Sequence, residues 1–151
     1  MAAARHPAFY AQWNVPDTLD GRFDMITLHM FLVLDRLKGK AEAFRQALVD
    51  EFFRDMDRSL REMGVGDLGV GKRVRKMAEV LYGRIAAYDK AMTGPDDTLM
   101  QVIARNVFAD QPEAMGAAHL ATYMREQRAY LAGQEADAIA RGHLRFKELA
   151  P

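Results

Sequence analysis

At 151 residues and zero formal net charge, the chain is long enough for one domain with a real core, and it carries no global field that would draw it to nucleic acid or acidic membranes. Half of its residues are hydrophobic and 28% are charged, which excludes a disordered chain. The lack of cysteine excludes disulfides and thiolate chemistry and suits a reducing compartment, while ten methionines point to an irregular core or to surfaces that accept varied apolar partners.

In chain order, residues 2–13 read as a short helix ended by the turn Val15-Pro16-Asp17, and Asp20-Gly21 marks a second break. Arg22 to Lys38 forms the next helix, stopped by Gly39. Its apolar stretch from Phe23 to Leu37 contains the unbroken run Met30 to Leu34. Asp24, His29, Asp35 and Arg36 interrupt or close that stretch, which is too short to span a bilayer and reads as a buried central helix. No apolar core or cleavage site follows Met1 to Arg5, so no signal peptide is read and a soluble, cytoplasmic protein is expected. From Ala41 to Met63, Phe44, Leu48, Phe52, Met56, Leu60 and Met63 recur every three or four residues, widened by Val49 and Phe53. The opposite face offers Asp50 with Arg54 and Asp57 with Arg61 at i,i+4 spacing.

Met63 to Arg73, Met-Gly-Val-Gly-Asp-Leu-Gly-Val-Gly-Lys-Arg, then imitates two nucleotide-binding fingerprints. Gly64, Gly66 and Gly69 fit G-x-G-x-x-G, and Gly66, Gly71 and Lys72 fit all but the last position of Walker A. Both need a strand feeding the loop, whereas a helix precedes it here, and Arg73 stands where Walker A needs Ser or Thr. The expected structure is a flexible helix-to-helix connection.

Val74, Met77, Leu81, Ile85, Tyr88 and Met92 resume the helical spacing until Thr93-Gly94-Pro95-Asp96. Asp96 or Asp97 is placed to cap a helix from Thr98 to about Phe108. Pro112 separates that helix from one spanning Glu113 to Leu131, Gly133 breaks it, and Gln134 to about Leu149 forms the last. No period-two alternation persists. The expected fold is all-α, a compact single-domain bundle of about six to seven helices over residues 1–151.

The candidate chemistry is sparse. His6, His29, His119 and His143 lack the helical spacing of a metal site, and no metal or cofactor is expected. His29 lies within the apolar helix, where a hydrogen-bonded core histidine is the plain reading and a haem ligand or buried base the alternative. Asp55 and Asp57 point apart at i,i+2, and no nucleophile pattern appears, so no enzyme is expected. Lys72, Arg73, Arg75 and Lys76 fall in the expected first turns of a helix, where the dipole disfavours cations. Free N–H groups, the flexible Gly66 and Gly71, and these side chains, with Arg22 as a further cation, make a candidate anion-receptive site for lipid phosphate, ribosomal RNA phosphate or a partner's carboxylates. The other reading is a solvated cluster paired with Asp57, Glu62 or Asp67.

Several of these segments resemble a known family. Val15-Pro16-Asp17-Thr18-Leu19-Asp20-Gly21-Arg22-Phe23, then Leu28-His29 and Phe31-Leu32-Val33-Leu34, are similar to the opening of the ubiquinol–cytochrome c chaperone family. Phe53-Arg54-Asp55-Met56-Asp57, Leu60 to Asp67, Val70-Gly71-Lys72-Arg73-Val74 and Tyr82-Gly83-Arg84 with Ala87-Tyr88 resemble its central signature, so that about residues 5–130 are covered. The resemblance implies an assembly factor for respiratory complex III whose mitochondrial members associate with the translating ribosome, newly made cytochrome b and a small partner protein. It also implies a location at the inner membrane, as a peripheral protein, and the form looks alphaproteobacterial.

In two places the chain departs from that pattern. Family members carry more sequence ahead of the residues matching Ala4-Arg5-His6-Pro7, which implies a start trimmed or misassigned inside the first helix, and Asp35 stands where a basic residue is expected. A chaperone of this kind needs an apolar groove with polar anchors, for which Met25, Met30, Met56, Met63 and Met77 are the candidate client contacts. The competing class is a small-molecule binder holding haem or quinone between its helices.

Overall fold

A computed structural model describes residues 2–109 and 115–149, and the regular structure among them is helical throughout. A 3-10 turn (Ala3–Arg5) and a short helix α1 (Pro7–Ala11) lead into α2 (Leu19–Leu37), α3 (Glu42–Glu62) and α4 (Asp67–Met92). Three further helices follow: α5 (Asp96–Val107), α6 (Met115–Ala132) and the short α7 (Ala136–Ala140). The all-α expectation holds. The N-terminal stretch, expected as one helix, is the 3-10 turn and α1, separated by His6 in an extended conformation.

Helix α2 is the centre of the molecule. It packs against α4, α6 and the N-terminal turn, and Met25, Leu28, Phe31, Leu32 and Leu37 are almost wholly buried. Its first turn is closed by Thr18, whose Oγ1 accepts the Gly21 N–H at 3.1 Å, with Asp20 on the positive end of the dipole. Asp20-Gly21 is therefore not a break but part of the helix. Glycine stands at position 21 because a Cβ there would lie 1.9 Å from the Pro16 carbonyl oxygen. At the other end Gly39 does stop the helix, with φ of 72°. Its N–H reaches Glu42 Oε1 at 2.7 Å, and that bond, helped by Arg45, holds the Glu42 carboxyl below its ordinary value.

Helix α3 follows the predicted stripe but rests chiefly on α4, with only a light contact to α2. On its outer face Arg61 pairs with Asp57 at 2.6 Å as expected. Arg54 turns instead to Glu51 at 2.6 Å, and Asp50 accepts from Gln46 at 2.8 Å.

The glycine-rich segment is mostly helix. Only Gly64, Val65 and Gly66 lie between the Met63 cap of α3 and the first residue of α4, so Gly69 and Gly71 are helical residues. Each glycine in a helix costs about 1 kcal/mol relative to alanine. The burial of Val70, fully removed from solvent one turn into α4, offsets that cost.

Two further boundaries differ. Helix α5 begins at Asp96, so the cap position is held by Pro95 and not by either aspartate. Pro112 and Glu113 lie outside the described residues. The last helix ends at Ala140 rather than Leu149, because Gly142 takes φ of 91° and Gln127 of α6 and Gln134 of the turn after it satisfy the backbone beyond it.

Candidate functional site

The polar residues of α2 have fixed partners. His29 is 6% exposed, with Nδ1 2.7 Å from the Met25 carbonyl and Nε2 2.8 Å from the Tyr123 hydroxyl. A carbonyl only accepts, so Nδ1 carries the proton and Nε2 accepts from Tyr123. Burial lowers the imidazole pKa to about 4, against the small opposing pull of the Met25 bond. This is the hydrogen-bonded core histidine, and with both nitrogens engaged it has no lone pair to offer haem. Asp24 pairs with Arg84 of α4, both largely buried. Asp35 meets Arg128 of α6 at 2.8 Å, so the acid at the position expected to be basic ties two helices together. No group of three or more metal-ligating side chains occurs among the described residues.

Because α3 leans on α4, the seam between α2 and α3 is not filled. Two apolar hollows lie along it, with Ile26 on the border of both. The first, about 380 Å³, is lined by His29, Met30 and Val33 of α2, Phe44, Leu48 and Phe52 of α3, and Leu144 and Phe146 from the segment after α7. The second, about 690 Å³, lies between Leu19 and Phe23 of α2, Met56, Leu60 and Met63 of α3, and Met77 of α4. Arg5, Arg22 and Arg73 stand on its rim with Asp17 and Asp20. Arg22 Nε donates to Asp17 Oδ1 at 2.7 Å, a bond that lowers the Asp17 carboxyl and raises the guanidinium from their ordinary values. Leu19 is 71% and Met63 56% exposed, so the mouth of this hollow offers apolar side chains to solvent.

The structure thus brings Met56, Met63, Met77, Arg22 and Arg73 to one hollow and places Met30 beside the other. It withdraws Met25, which is fully buried in the main core on the side of α2 away from α3. The anion cradle expected around the glycines does not assemble. Helix α4 starts at Asp67, so Lys72, Arg73, Arg75 and Lys76 occupy its second and third turns, beyond the free N–H groups, and a Cβ on Gly66 or Gly71 would meet nothing. What remains is an exposed basic helix face. Asp57 and Asp67 both pair with Arg61, Lys76 reaches Glu79 at 3.5 Å, and Lys72, Arg73 and Arg75 have no ion pair among the described residues. Of the acids expected to neutralise the cluster, Asp57 and Asp67 are engaged by Arg61 instead.

Sequence reasoning missed Arg5, Tyr10 and Leu19 at the second hollow, which only the packing of the N-terminal segment brings there. It also missed Gln127 of α6, though a signal was available in its place on the core-facing stripe with Leu120, Met124 and Leu131, and Gln134 in the turn after α6, which carried no such signal.

Comparison with known proteins gives this arrangement a family. The model described as ubiquinol-cytochrome C chaperone matches residues 11–146. The chain belongs to the ubiquinol–cytochrome c chaperone family. It is 26% identical over 129 residues to the ubiquinol-cytochrome-c reductase complex assembly factor 1 of Xenopus laevis, covering 82% of this chain and 64% of that protein. The Mus musculus protein of the same description is also 26% identical, over 146 residues, covering 93% of this chain and 50% of its own length. The chain therefore spans about half to two thirds of these curated relatives. A crystal structure of the Cbp3 homolog from Brucella abortus is 41% identical and superposes with a TM-score of 0.86 over 97% of this chain and 83% of that one. No described helix is long and apolar enough to cross a membrane.

Proposed function

We propose that the protein is a non-enzymatic assembly factor for the ubiquinol–cytochrome c reductase complex, which holds an apolar segment of newly made cytochrome b in the α2–α3 seam. The observation that carries the reading is the unfilled seam itself, lined by adaptable methionines and rimmed by arginines, on a chain of the ubiquinol–cytochrome c chaperone family. Holding a client needs apolar surface and orienting charge rather than a nucleophile. The exposed cations at the start of α4, Lys72, Arg73, Arg75 and Lys76, supply the charge, directed at anionic lipid or ribosome on the cytoplasmic side of the membrane where the client is made. The haem alternative loses its best ligand in the doubly bonded His29.

Two measurements test the proposal. Deleting the gene should lower assembled cytochrome bc complex and leave other respiratory oxidases intact; normal cytochrome b under conditions that require the complex would overturn it. Crosslinking and pull-down from native membranes should recover cytochrome b with the unaltered chain. The variant with Lys72, Arg73, Arg75 and Lys76 changed to Glu should lose that association while its stability moves by less than about 1 kcal/mol, since exposed charges of this kind carry little folding energy. Undiminished recovery would move the contact away from α4.

A further inference from the structure

Beyond Gly142 the chain runs past the end of α6 and the turn that follows it, where two glutamines, Gln127 of α6 and Gln134 of that turn, take hold of its backbone. Gln127 Nε2 donates to the Lys147 carbonyl at 2.7 Å, and its Oε1 accepts the Lys147 N–H at 2.8 Å. Gln134 treats Arg145 in the same way, at 2.7 and 3.0 Å. A carboxamide that meets both the N–H and the C=O of one residue reproduces the pairing of a neighbouring strand. Two such clamps on alternate residues read an extended backbone and not its side chains.

The side chains obey the same alternation. Leu144 and Phe146 are half-buried and line the first hollow, while Arg145 and Lys147 are exposed. Phe146 stands edge-on to the His29 ring at 5.1 Å, and Lys147 makes a surface ion pair with Glu126 at 2.8 Å. The clamp at Gln127 is built into the core: the residue is 1% exposed, a position where an amide without partners is costly. About 380 Å³ of mostly apolar-lined space remains beside the two inward side chains, so the groove has room for larger ones.

We propose that this groove is a sequence-tolerant binding site for an extended peptide with apolar residues at alternate positions. Residues 143–149 are its resident strap, which a segment of the client replaces. The idea rests on the reading of the chain as a holder of apolar clients, because backbone capture suits a partner whose side chains vary.

The test uses the chain truncated after Gly142 and a fluorescent peptide spanning His143 to Leu149. The peptide should bind the truncated chain saturably and the full chain at least tenfold more weakly, since the tethered strap competes at high effective concentration. A shuffled peptide that keeps the apolar alternation should bind within a few-fold, and one with Asp in place of Leu144 and Phe146 should not bind. Gln127→Leu with Gln134→Leu should abolish binding. Equal affinity for truncated and full chains, or binding indifferent to the glutamines, would overturn the proposal. Should truncation prevent folding, hydrogen exchange on the full chain decides. The Arg145 and Lys147 amides should exchange at least about a hundredfold faster than those in the middle of α2, and equal protection would make the strap part of the core. These readouts involve no cytochrome b, so a failed client pull-down bears on the assembly role and leaves them standing.

Discussion

Helix α2 and the first half of α4 both mix charged and apolar residues, and the fold treats them in opposite ways. In α2 the polar side chains Asp24, His29 and Asp35 each have a partner on another element, the first two in places closed to water and the third half-buried. In α4 the cations Lys72, Arg73 and Arg75 have no ion pair among the described residues, and Asp57 and Asp67 are taken by Arg61. Buried polar groups must be matched or the fold fails, whereas exposed ones are free for association. The contrast assigns the two helices different work: α2 holds the structure together, and α4 offers a surface.

The sharpest way to break that comparison is to orphan a charge in α2. Arg84→Met leaves the Asp24 carboxylate buried without a counter-charge, and chemical denaturation should show a loss of about 3–5 kcal/mol. Asp24→Leu added to it should restore most of that loss. A cost under about 1 kcal/mol for the single change would mean that water reaches Asp24 and that α2 is less closed than it looks.

Titration of His29 gives the next largest effect. Its native pKa is near 4 against an ordinary value of 6.5. Between those values the unfolded chain takes up a proton that the native chain refuses, so stability is full above pH 6.5 and declines as pH falls toward 4. The accumulated loss is about 3 kcal/mol, from some 1.4 kcal/mol per unit. Denaturation midpoints measured across that window should slope accordingly, and His29→Gln should flatten the slope. An unchanged slope would assign the pH dependence to other groups.

Glycines sharpen the comparison further because the residue type is constant. Gly21→Ala drives a Cβ against the Pro16 carbonyl and should cost about 2–3 kcal/mol by forcing backbone apart. Gly71→Ala and Gly83→Ala meet nothing within 4 Å inside α4 and should each stabilise by about 0.5–1 kcal/mol in thermal melts. Destabilisation by Gly71→Ala would show that the start of α4 needs a bend.

Helical class, the extents of α3 and the interior of α4, and the core role of His29 were legible in the order of residues. They follow from local chemistry, an apolar residue every three or four positions and a histidine amid an apolar run. The candidate site was legible only in part. Met56, Met63 and Met77 could be chosen for adaptability, but helical periodicity makes Met25 equally eligible, and only the packing of α2 on α6 buries it.

Other features depend on residues far apart in sequence, and no local pattern contains them. Glycine at position 21 suggests a turn until Pro16 is seen folded back against it; Asp35 lacks a purpose until Arg128, 93 residues later, arrives beside it. The strap is the clearest case. Residues 143–149 carry helix-forming side chains, and their backbone gives up helical bonds because Gln127 and Gln134 supply others at a distance. Local spacing determines which face of a helix is apolar. What that face meets, and which backbone groups find partners outside their own helix, is decided by packing, because those free energies exist only once the distant partner is in place.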